Sequence, residues 1–284
     1  MRAAAHLRAL VSRPELGAEA VPGLVPGALF SLAGRVGLVT GAGGEIGGWL
    51  AAGLGAAGAR LVLVDRDEAG LARTAGVLAA AGIETVTVAC DLTAEEAPER
   101  CVAAALDAFG ALDVLVNNAA INRRQALLDV DAATFDEIMA VDLRAPYRLT
   151  QAAARSMIAA GRGGAIVNVG SINVAVGLQG VSVYGAAKAA LAQFTKVLAV
   201  ELSQHRIRAN CLCPGMMMTQ LSEPVWQVES RRRWMLDRIP QRRPGLPGEL
   251  VGALLLLCSE AGAYLNGQAV FVDGGFLAGS GWER

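Results

Sequence analysis

The chain has 284 residues, which suits one large domain or two small ones, and 54% of them are hydrophobic. Its formal net charge is −1, so the sequence shows no broad electrostatic surface for nucleic acid or an anionic membrane. No apolar run predicts a membrane span, and the five cysteines lack zinc or CxxC spacing, which fits the reducing cytoplasm.

The first 30 residues carry early arginines and three prolines but no uninterrupted apolar core like that of a secretory signal. We interpret residues 1–30 as a loosely held extension or a start-site artefact. A single domain is then expected over residues 31–284. The chain has only two histidines, His6 and His205, so Ser-His-Asp hydrolysis and histidine-based metal sites lack their central groups. No metal is therefore expected.

From Arg35 onward, short apolar runs alternate with Ala-rich segments of helical period, such as residues 46–59 and 184–204. The apolar runs end in Gly, Asp, Asn or Ser and predict seven strands: VGLVTG, RLVLVD, TVTVAC, LDVLVNN, GAIVNVGS, IRANCLCPG and FVDGG. This alternation predicts an α/β fold, with one doubly wound, seven-stranded parallel sheet and helices on both of its faces. The ligand crevice is expected at the carboxyl ends of the strands.

Residues 216–247 are rich in Met, Trp, Arg and Pro and break the alternation. We interpret them as a lid over the crevice. Five apolar residues are expected either to form an adaptable apolar lining of this lid or to be ordinary core packing of a short helix. They are Met216, Met217, Met218, Trp226 and Trp234. The arginines at 231–233 are expected to form a solvated face.

A glycine-rich loop, VTGAGGEIGG, follows the first strand and opens a helix. Glycines permit a tight turn close to a pyrophosphate, and the helix N-terminus stabilises its charge. Asp65 ends the next strand, where a carboxylate can bind ribose hydroxyls and repel a 2′-phosphate. This favours NAD over NADP as cofactor. The adjacent Arg66 could instead accept a phosphate. The other interpretation of Asp65 is a turn residue or a helix cap.

Taken in order, these motifs resemble those of the short-chain dehydrogenase/reductase (SDR) family, over residues 31–276. The matching segments are TGAGGEIG at 40–47, CDL at 90–92, NNAA at 117–120, Ser171, Tyr184-x-x-x-Lys188, Pro214-Gly215-x-x-x-Thr219 and VDGG at 272–275. A serine thirteen residues before the tyrosine, with every other segment in place, makes the match specific. The resemblance implies a Rossmann domain and an NAD(P)-dependent oxidoreductase acting on CH–OH donors.

The resemblance also implies where the cofactor and the reacting groups lie. Ser171, Tyr184 and Lys188 would be catalytic. The implied cofactor residues are Gly41, Gly43, Gly44, Glu45, Ile46, Gly47, Asp65, Arg66, Asp91, Leu92, Asn117, Asn118, Ala119, Ala120, Tyr184, Lys188, Pro214, Gly215, Met217 and Thr219.

Three residues depart from the family pattern. Glu45 replaces a usual glycine of the loop, so its side chain must point away from the phosphates or Gly44 must make the close approach. Ala120 replaces another usual glycine. Asp142 stands where the family usually has a catalytic asparagine, and it could hold a proton-relay water through its carbonyl or its side chain.

Only two of the 25 basic residues are lysines, and one of them, Lys188, follows Tyr184 by four positions. Positions four apart share a helix face, so the two side chains are expected side by side. An ammonium stabilises a phenolate and, unlike a guanidinium, it can exchange protons. We therefore expect Tyr184 to take the alcohol proton, while Lys188 tunes it and binds the nicotinamide ribose.

The substrate is expected to contact Ser171, Asn173 and Tyr184. Arg123 and Arg124 follow the fourth strand, where a guanidinium could hold a carboxylate in two parallel hydrogen bonds. The segment NAAINRRQALLDVD resembles that of gluconate and deoxygluconate dehydrogenases. Solvated arginines, or arginines at a subunit contact, are the alternative.

Two other functions stay open from the sequence. One is an NADPH-dependent ketoacyl carrier-protein reductase, which a basic surface beside the crevice would favour. The other is a catalytically inactive dinucleotide-binding sensor or scaffold. By family analogy, a homotetramer acting on a small-molecule alcohol or ketone is expected, with no nucleic acid and no membrane as partner.

Overall fold

The computed structural model describes residues 25–220 and 222–279. The predicted extension therefore lies outside the described residues, apart from its end, where a short helix α1 spans Pro26–Leu29. No helix within the described ranges is long and apolar enough to cross a membrane.

The described residues form one seven-stranded sheet in which every pairing is parallel. Its order is β3-β2-β1-β4-β5-β6-β7. The strands are β1 Val36–Thr40, β2 Arg60–Asp65, β3 Thr85–Ala89, β4 Val114–Asn117, β5 Gly164–Val169, β6 Ile207–Pro214 and β7 Ala269–Val272. The predicted fold class is confirmed.

Helices connect successive strands and cover both faces of the sheet. They are α2 Glu45–Ala56, α3 Glu68–Ala80, α4 Ala97–Phe109, α5 Ala132–Met139, α6 Ala145–Ala160, α7 Ser182–Leu202, α8 Glu223–Trp226, α9 Glu229–Arg238 and α10 Val251–Cys258. A π-helical turn, Ala140–Arg144, joins α5 to α6.

Two hydrophobic cores form because neighbouring strand residues point to opposite faces. Val39 packs with Leu50 of α2 and Leu254 of α10 in one core. Its neighbour Leu38 belongs to the other core, with Leu149 of α6. Leu38 and Val39 are both fully buried, as expected for a strand that has helices on both sides.

The strand order reverses at β1, which pairs with β2 on one side and β4 on the other. Connections leave the two sides of this point in opposite directions, which opens a crevice at the carboxyl ends of β1 and β4. The glycine-rich loop and residues 117–120 both lie there.

Residues 216–247, which the sequence predicts to be a lid and which are called the lid segment below, contain α8 and α9. A bridge between Met217 and Gly245 joins the two ends of the segment. Trp226, Met235 and Ile239 form its small core. Of the two tryptophans predicted to line the crevice or to pack in a core, Trp226 is buried and Trp234 is 40% exposed.

Candidate active site

The loop after β1 packs tightly against the loop after β4. Gly41 has φ +66°, and a Cβ there would lie 2.8 Å from Asn118 Nδ2 and 2.9 Å from Ala119 Cα. Only glycine meets both demands. Asn118 Nδ2 donates to the carbonyl oxygen of Thr40 at 2.9 Å, which fixes one loop on the other.

Thr40 links the end of β1 to the loop after β4, a role that the sequence motif did not reveal. Its hydroxyl accepts hydrogen bonds from the backbone N–H groups of Asn118, at 2.9 Å, and Ala119, at 3.0 Å. Asn117 instead lies in the core, where its amide donates to Asn168 at 2.8 Å and Thr150 at 3.0 Å. The Asn117 side chain therefore joins β4 to β5 and to α6. Ala120, which follows the residues held by Thr40, is exposed.

Helix α2 begins directly on this loop. A methyl group at Gly47 would overlap the carbonyl oxygen of Gly41, so the first helical turn lies against the chain that precedes it. Gly44 is the N-cap residue, and among the described residues no side chain caps the helix. The free N–H groups of the first turn, from Glu45, Ile46 and Gly47, suit a phosphate. The loop therefore fits a dinucleotide pyrophosphate.

Glu45 directs its charge toward the lid segment. It is exposed, and its Oε2 accepts a hydrogen bond from the backbone N–H of Gln220 at 2.9 Å. The carboxylate is thus engaged at the lid and leaves the glycine loop open. Glu45 replaces a glycine that is usual in the family, and its side chain therefore had to point away from the phosphates. The contact with Gln220 fulfils this requirement.

Asp65 supports the glycine loop from the end of β2. Its Oδ2 accepts from the backbone N–H of Gly43 at 3.0 Å, and its Oδ1 accepts from that of Asp67 at 3.0 Å. Arg66 beside it is exposed. At the end of β3, hydrogen bonds from Thr93 hold the pKa of Asp91 below its usual value, and Leu92 is half-buried.

Tyr184 and Lys188 lie one turn apart on α7. The ammonium nitrogen of Lys188 is 5.6 Å from the centre of the Tyr184 ring, so the two side chains share a face. Lys188 is only 2% exposed, and it donates to the carbonyl oxygen of Val169 at 3.0 Å. This contact places the charge at the carboxyl end of β5.

Ser171 follows β5 and faces the same crevice region. Its hydroxyl donates to Asn173 Oδ1 at 3.0 Å and accepts from the Asn173 backbone N–H at 3.2 Å. Extended backbone at Ser171 precedes the one-turn helix at 172–174, which packs on α7. Ser171 thus lies two residues beyond the carbonyl group that Lys188 contacts, on a segment that packs against the helix carrying Tyr184.

At the end of β6, Gly215 is required by close packing, since a Cβ would lie 2.8 Å from Asp273 Cβ. Pro214 is the last residue of the strand, and the Gly215 N–H donates to Val272 at 2.9 Å. The buried side chain of Met217 belongs to the core beneath α2 and α10. Thr219 pairs with Ser222 at the start of the lid segment.

Known proteins match nearly the whole of this arrangement. A family model described as enoyl-(acyl carrier protein) reductase matches residues 41–277. L-xylulose reductase of Bos taurus is 43% identical over 87% of this chain and 98% of its own length. Gluconate 5-dehydrogenase of Gluconobacter oxydans is 38% identical over 87% of this chain and 96% of its own. A gluconate 5-dehydrogenase structure from Burkholderia cenocepacia, in complex with NADP and tartrate, has a TM-score of 0.84 at 34% identity, covering 88% of this chain and 98% of that one.

The chain belongs to the short-chain dehydrogenase/reductase family. The resemblance to sugar-acid dehydrogenases is confirmed, as is the predicted reaction class. This SDR is an enzyme that transfers a hydride between a nicotinamide dinucleotide and a secondary alcohol or ketone. An inactive sensor or scaffold is thereby set aside.

In this SDR, the π-helical turn carries Asp142 into the site. The carboxylate is fully buried, and its Oδ1 accepts from the Ile121 backbone N–H at 2.8 Å. Its Oδ2 lies 3.6 Å from the Lys188 ammonium. Burial raises the pKa of the Asp142 carboxyl, and Lys188 acts against that rise.

The two candidate substrate arginines differ in their partners. Arg123 Nη2 lies 3.0 Å from Glu137 Oε1, and its Nε donates to Oε2 at 3.3 Å. Within residues 25–220 and 222–279, no ion pair involves Arg124, and its side chain is exposed. The structure thus leaves one of the two guanidinium groups for an anion.

Proposed function

We propose that this SDR interconverts a sugar acid or polyol and the corresponding ketone, with NAD(H) as the preferred cofactor. The observation that supports it is a guanidinium on a loop that is hydrogen-bonded to Asp142 on one side and to the segment before α7 on the other. Ile121 of this loop is bound to Asp142, and Gln125 donates to Gly180, just before α7, at 3.0 Å. Arg124 lies between these two attachments.

The bound nicotinamide supplies or accepts the hydride. Tyr184 exchanges the proton of the substrate oxygen, because its hydroxyl is the acid–base group of the cluster. Ser171 donates a hydrogen bond to that oxygen, Lys188 stabilises the phenolate and binds the ribose, and Asp142 completes the charged cluster. Asn173 holds Ser171 in place beside the substrate.

Asp65 supports the preference for NAD. Its carboxylate lies at the end of β2, where the adenosine ribose of a bound dinucleotide is expected, and its charge repels a 2′-phosphate. The related structure from Burkholderia cenocepacia is in complex with NADP, and Arg66 offers this chain a cation beside Asp65. The balance between Asp65 and Arg66 decides the preference.

We expect Asp65→Asn to raise NADP affinity by about ten-fold, because one repulsive charge is removed while an oxygen acceptor remains for Gly43. Fluorescence titration of the wild type and the variant with NAD and NADP measures this. Arg66→Ala is the control and should weaken only NADP. Tighter NADP than NAD binding by the wild-type enzyme would contradict the proposal.

We expect Arg124→Ala to raise KM for gluconate-type acids by about ten-fold or more, through loss of a charge-assisted pair. A neutral polyol should be used unchanged. Arg123→Ala is the matched control, because Glu137 already occupies that guanidinium. Initial rates on a panel of acids and polyols measure the effect; equal KM changes for acids and polyols would exclude a carboxylate contact.

A ketoacyl carrier-protein reductase is a second candidate. Arg231 and Arg233 are exposed on α9 and, in the part of the chain that the structure describes, lie outside every ion pair. An acidic carrier protein fits such a surface, whereas Asp65 opposes the NADPH that this reaction commonly uses. Adding a ketoacyl carrier to the substrate panel separates the candidates.

A cytoplasmic homotetramer is also proposed. Apolar side chains are exposed on α6, where Tyr147 is 44% accessible, and on α7, where Val200 is 80% accessible. These faces suit burial against other copies of the chain. All five cysteines are free and buried, which fits a reducing compartment. Sedimentation measures the assembly, and a monomer would contradict it.

A further inference from the structure

Asp142 places a carboxylate where its charge acts on the acid–base pair. Its Oδ2 accepts no hydrogen bond from any described residue and lies 3.6 Å from Lys188 Nζ. Neither side chain is more than 2% exposed. Little water therefore screens the pair, and its field acts on neighbouring groups more strongly than it would at the surface.

The surroundings of Lys188 contain few other titratable groups. Tyr184 lies on the same helix, and the thiols of Cys211 and Cys213 approach from β6. Asp142, from the π-helical turn, is the acidic group of this set. With an asparagine there, the ammonium would act on Tyr184 alone; with the aspartate, the pair is neutral overall.

We propose that Asp142 adapts this site to ketone reduction at neutral pH, by keeping Tyr184 protonated and by favouring the oxidised, positively charged nicotinamide over the neutral reduced ring. The proposal rests on the proposed function, in which Tyr184 exchanges the proton. A carboxylate beside the ammonium cancels part of the field that stabilises phenolate. The same negative charge attracts a positive ring.

Both effects act in the direction of reduction. The carbonyl carbon gains a hydride from the reduced nicotinamide, the C=O π pair moves to oxygen, and that oxygen takes the proton of Tyr184. The ketone becomes an alcohol, the cofactor is oxidised, and the phenolate regains a proton from water. A catalyst leaves the overall equilibrium unchanged, so the effect of Asp142 is confined to bound states and to pH dependence.

Asp142→Asn tests this with little change of shape, because the amide oxygen can still accept from Ile121. For alcohol oxidation, we expect the acidic limb of the kcat/KM profile to move about one pH unit lower. The affinity for oxidised cofactor relative to reduced cofactor should fall about five- to ten-fold. Asp113→Asn is the matched control: this aspartate is 2% exposed but lies at the opposite end of β4, and neither quantity should change.

A second measurement needs neither Asp142→Asn nor a substrate. The chain has three tyrosines, so Tyr147→Phe with Tyr264→Phe leaves Tyr184 as the only one, and tyrosinate absorbance then reports its ionisation directly. We expect a neutral phenol at pH 7 with oxidised cofactor bound. A phenolate at that pH would overturn the proposal. So would an Asp142→Asn variant in which both the acidic limb of the kcat/KM profile and the ratio of affinities for oxidised and reduced cofactor are unchanged. Failure of every sugar acid would refute the proposed substrate, but the cofactor affinity ratio and the tyrosinate absorbance need no substrate and would still test the role of Asp142.

Discussion

Replacing Tyr184 with Phe should lower kcat by about 10²- to 10⁴-fold, because the substrate oxygen loses the group that exchanges its proton. The ring remains, so the contact with the ammonium of Lys188, 5.6 Å from its centre, is kept. Cofactor binding should therefore stay within about three-fold of the wild-type value. Steady-state rates and fluorescence titration measure the two quantities separately.

Tyr147→Phe is the matched control for this change. Tyr147 is 44% exposed on α6, outside the catalytic cluster, and its ring lies 4.7 Å from that of Phe194. Removal of its hydroxyl should leave both rate and affinity unchanged. If Tyr184→Phe kept a tenth or more of the wild-type rate, another group would have to exchange the proton.

The parts of the fold and site with short-range causes could be predicted from the sequence. Apolar runs that end in a turn residue identified the strands, and β1 is followed by Gly41, whose positive φ requires glycine. The spacing of Tyr184 and Lys188 fixes their shared face, because helical geometry alone decides it. These features depend on residues a few positions apart.

The contacts between distant segments could not be predicted in the same way. The sequence left Arg123 and Arg124 equivalent, and only the position of Glu137 on α5 distinguishes them. Asp142 was visible as a departure from the family pattern, but its 3.6 Å approach to Lys188 depends on a π-helical turn. An extra residue in a helical turn leaves no periodic signal in a sequence this rich in alanine.

Glu45 shows the same limit at the glycine loop. The sequence required its side chain to point away from the phosphates, or Gly44 to make the close approach instead. The structure places its acceptor oxygen 2.9 Å from the backbone nitrogen of Gln220, in the lid segment. Whether Glu45 obstructs the glycine loop thus depends on the lid segment, which is distant from it in the sequence.

Gly47→Ala should damage the enzyme more than any other single methyl group added to the glycine loop. The new Cβ would overlap the carbonyl oxygen of Gly41 and lie 2.8 Å from Asn118 Nδ2. Backbone atoms cannot move aside as side chains do, so either α2 or the loop must shift. We expect a loss of about 1–3 kcal/mol in the free energy of unfolding and a cofactor affinity at least about 100-fold weaker.

Gly48→Ala provides the control in the same helix and at the next position. Its Cβ would meet Thr74 Oγ1 at 3.5 Å, an ordinary contact, and alanine favours a helix by up to about 1 kcal/mol over glycine. This variant should therefore match or exceed the wild-type stability and bind cofactor normally. Chemical denaturation and cofactor titration of both variants compare the two positions. Equal stability and equal cofactor affinity of the two variants would mean that the contact between Gly47 and Gly41 does not shape the phosphate site. The dinucleotide would then have to bind elsewhere.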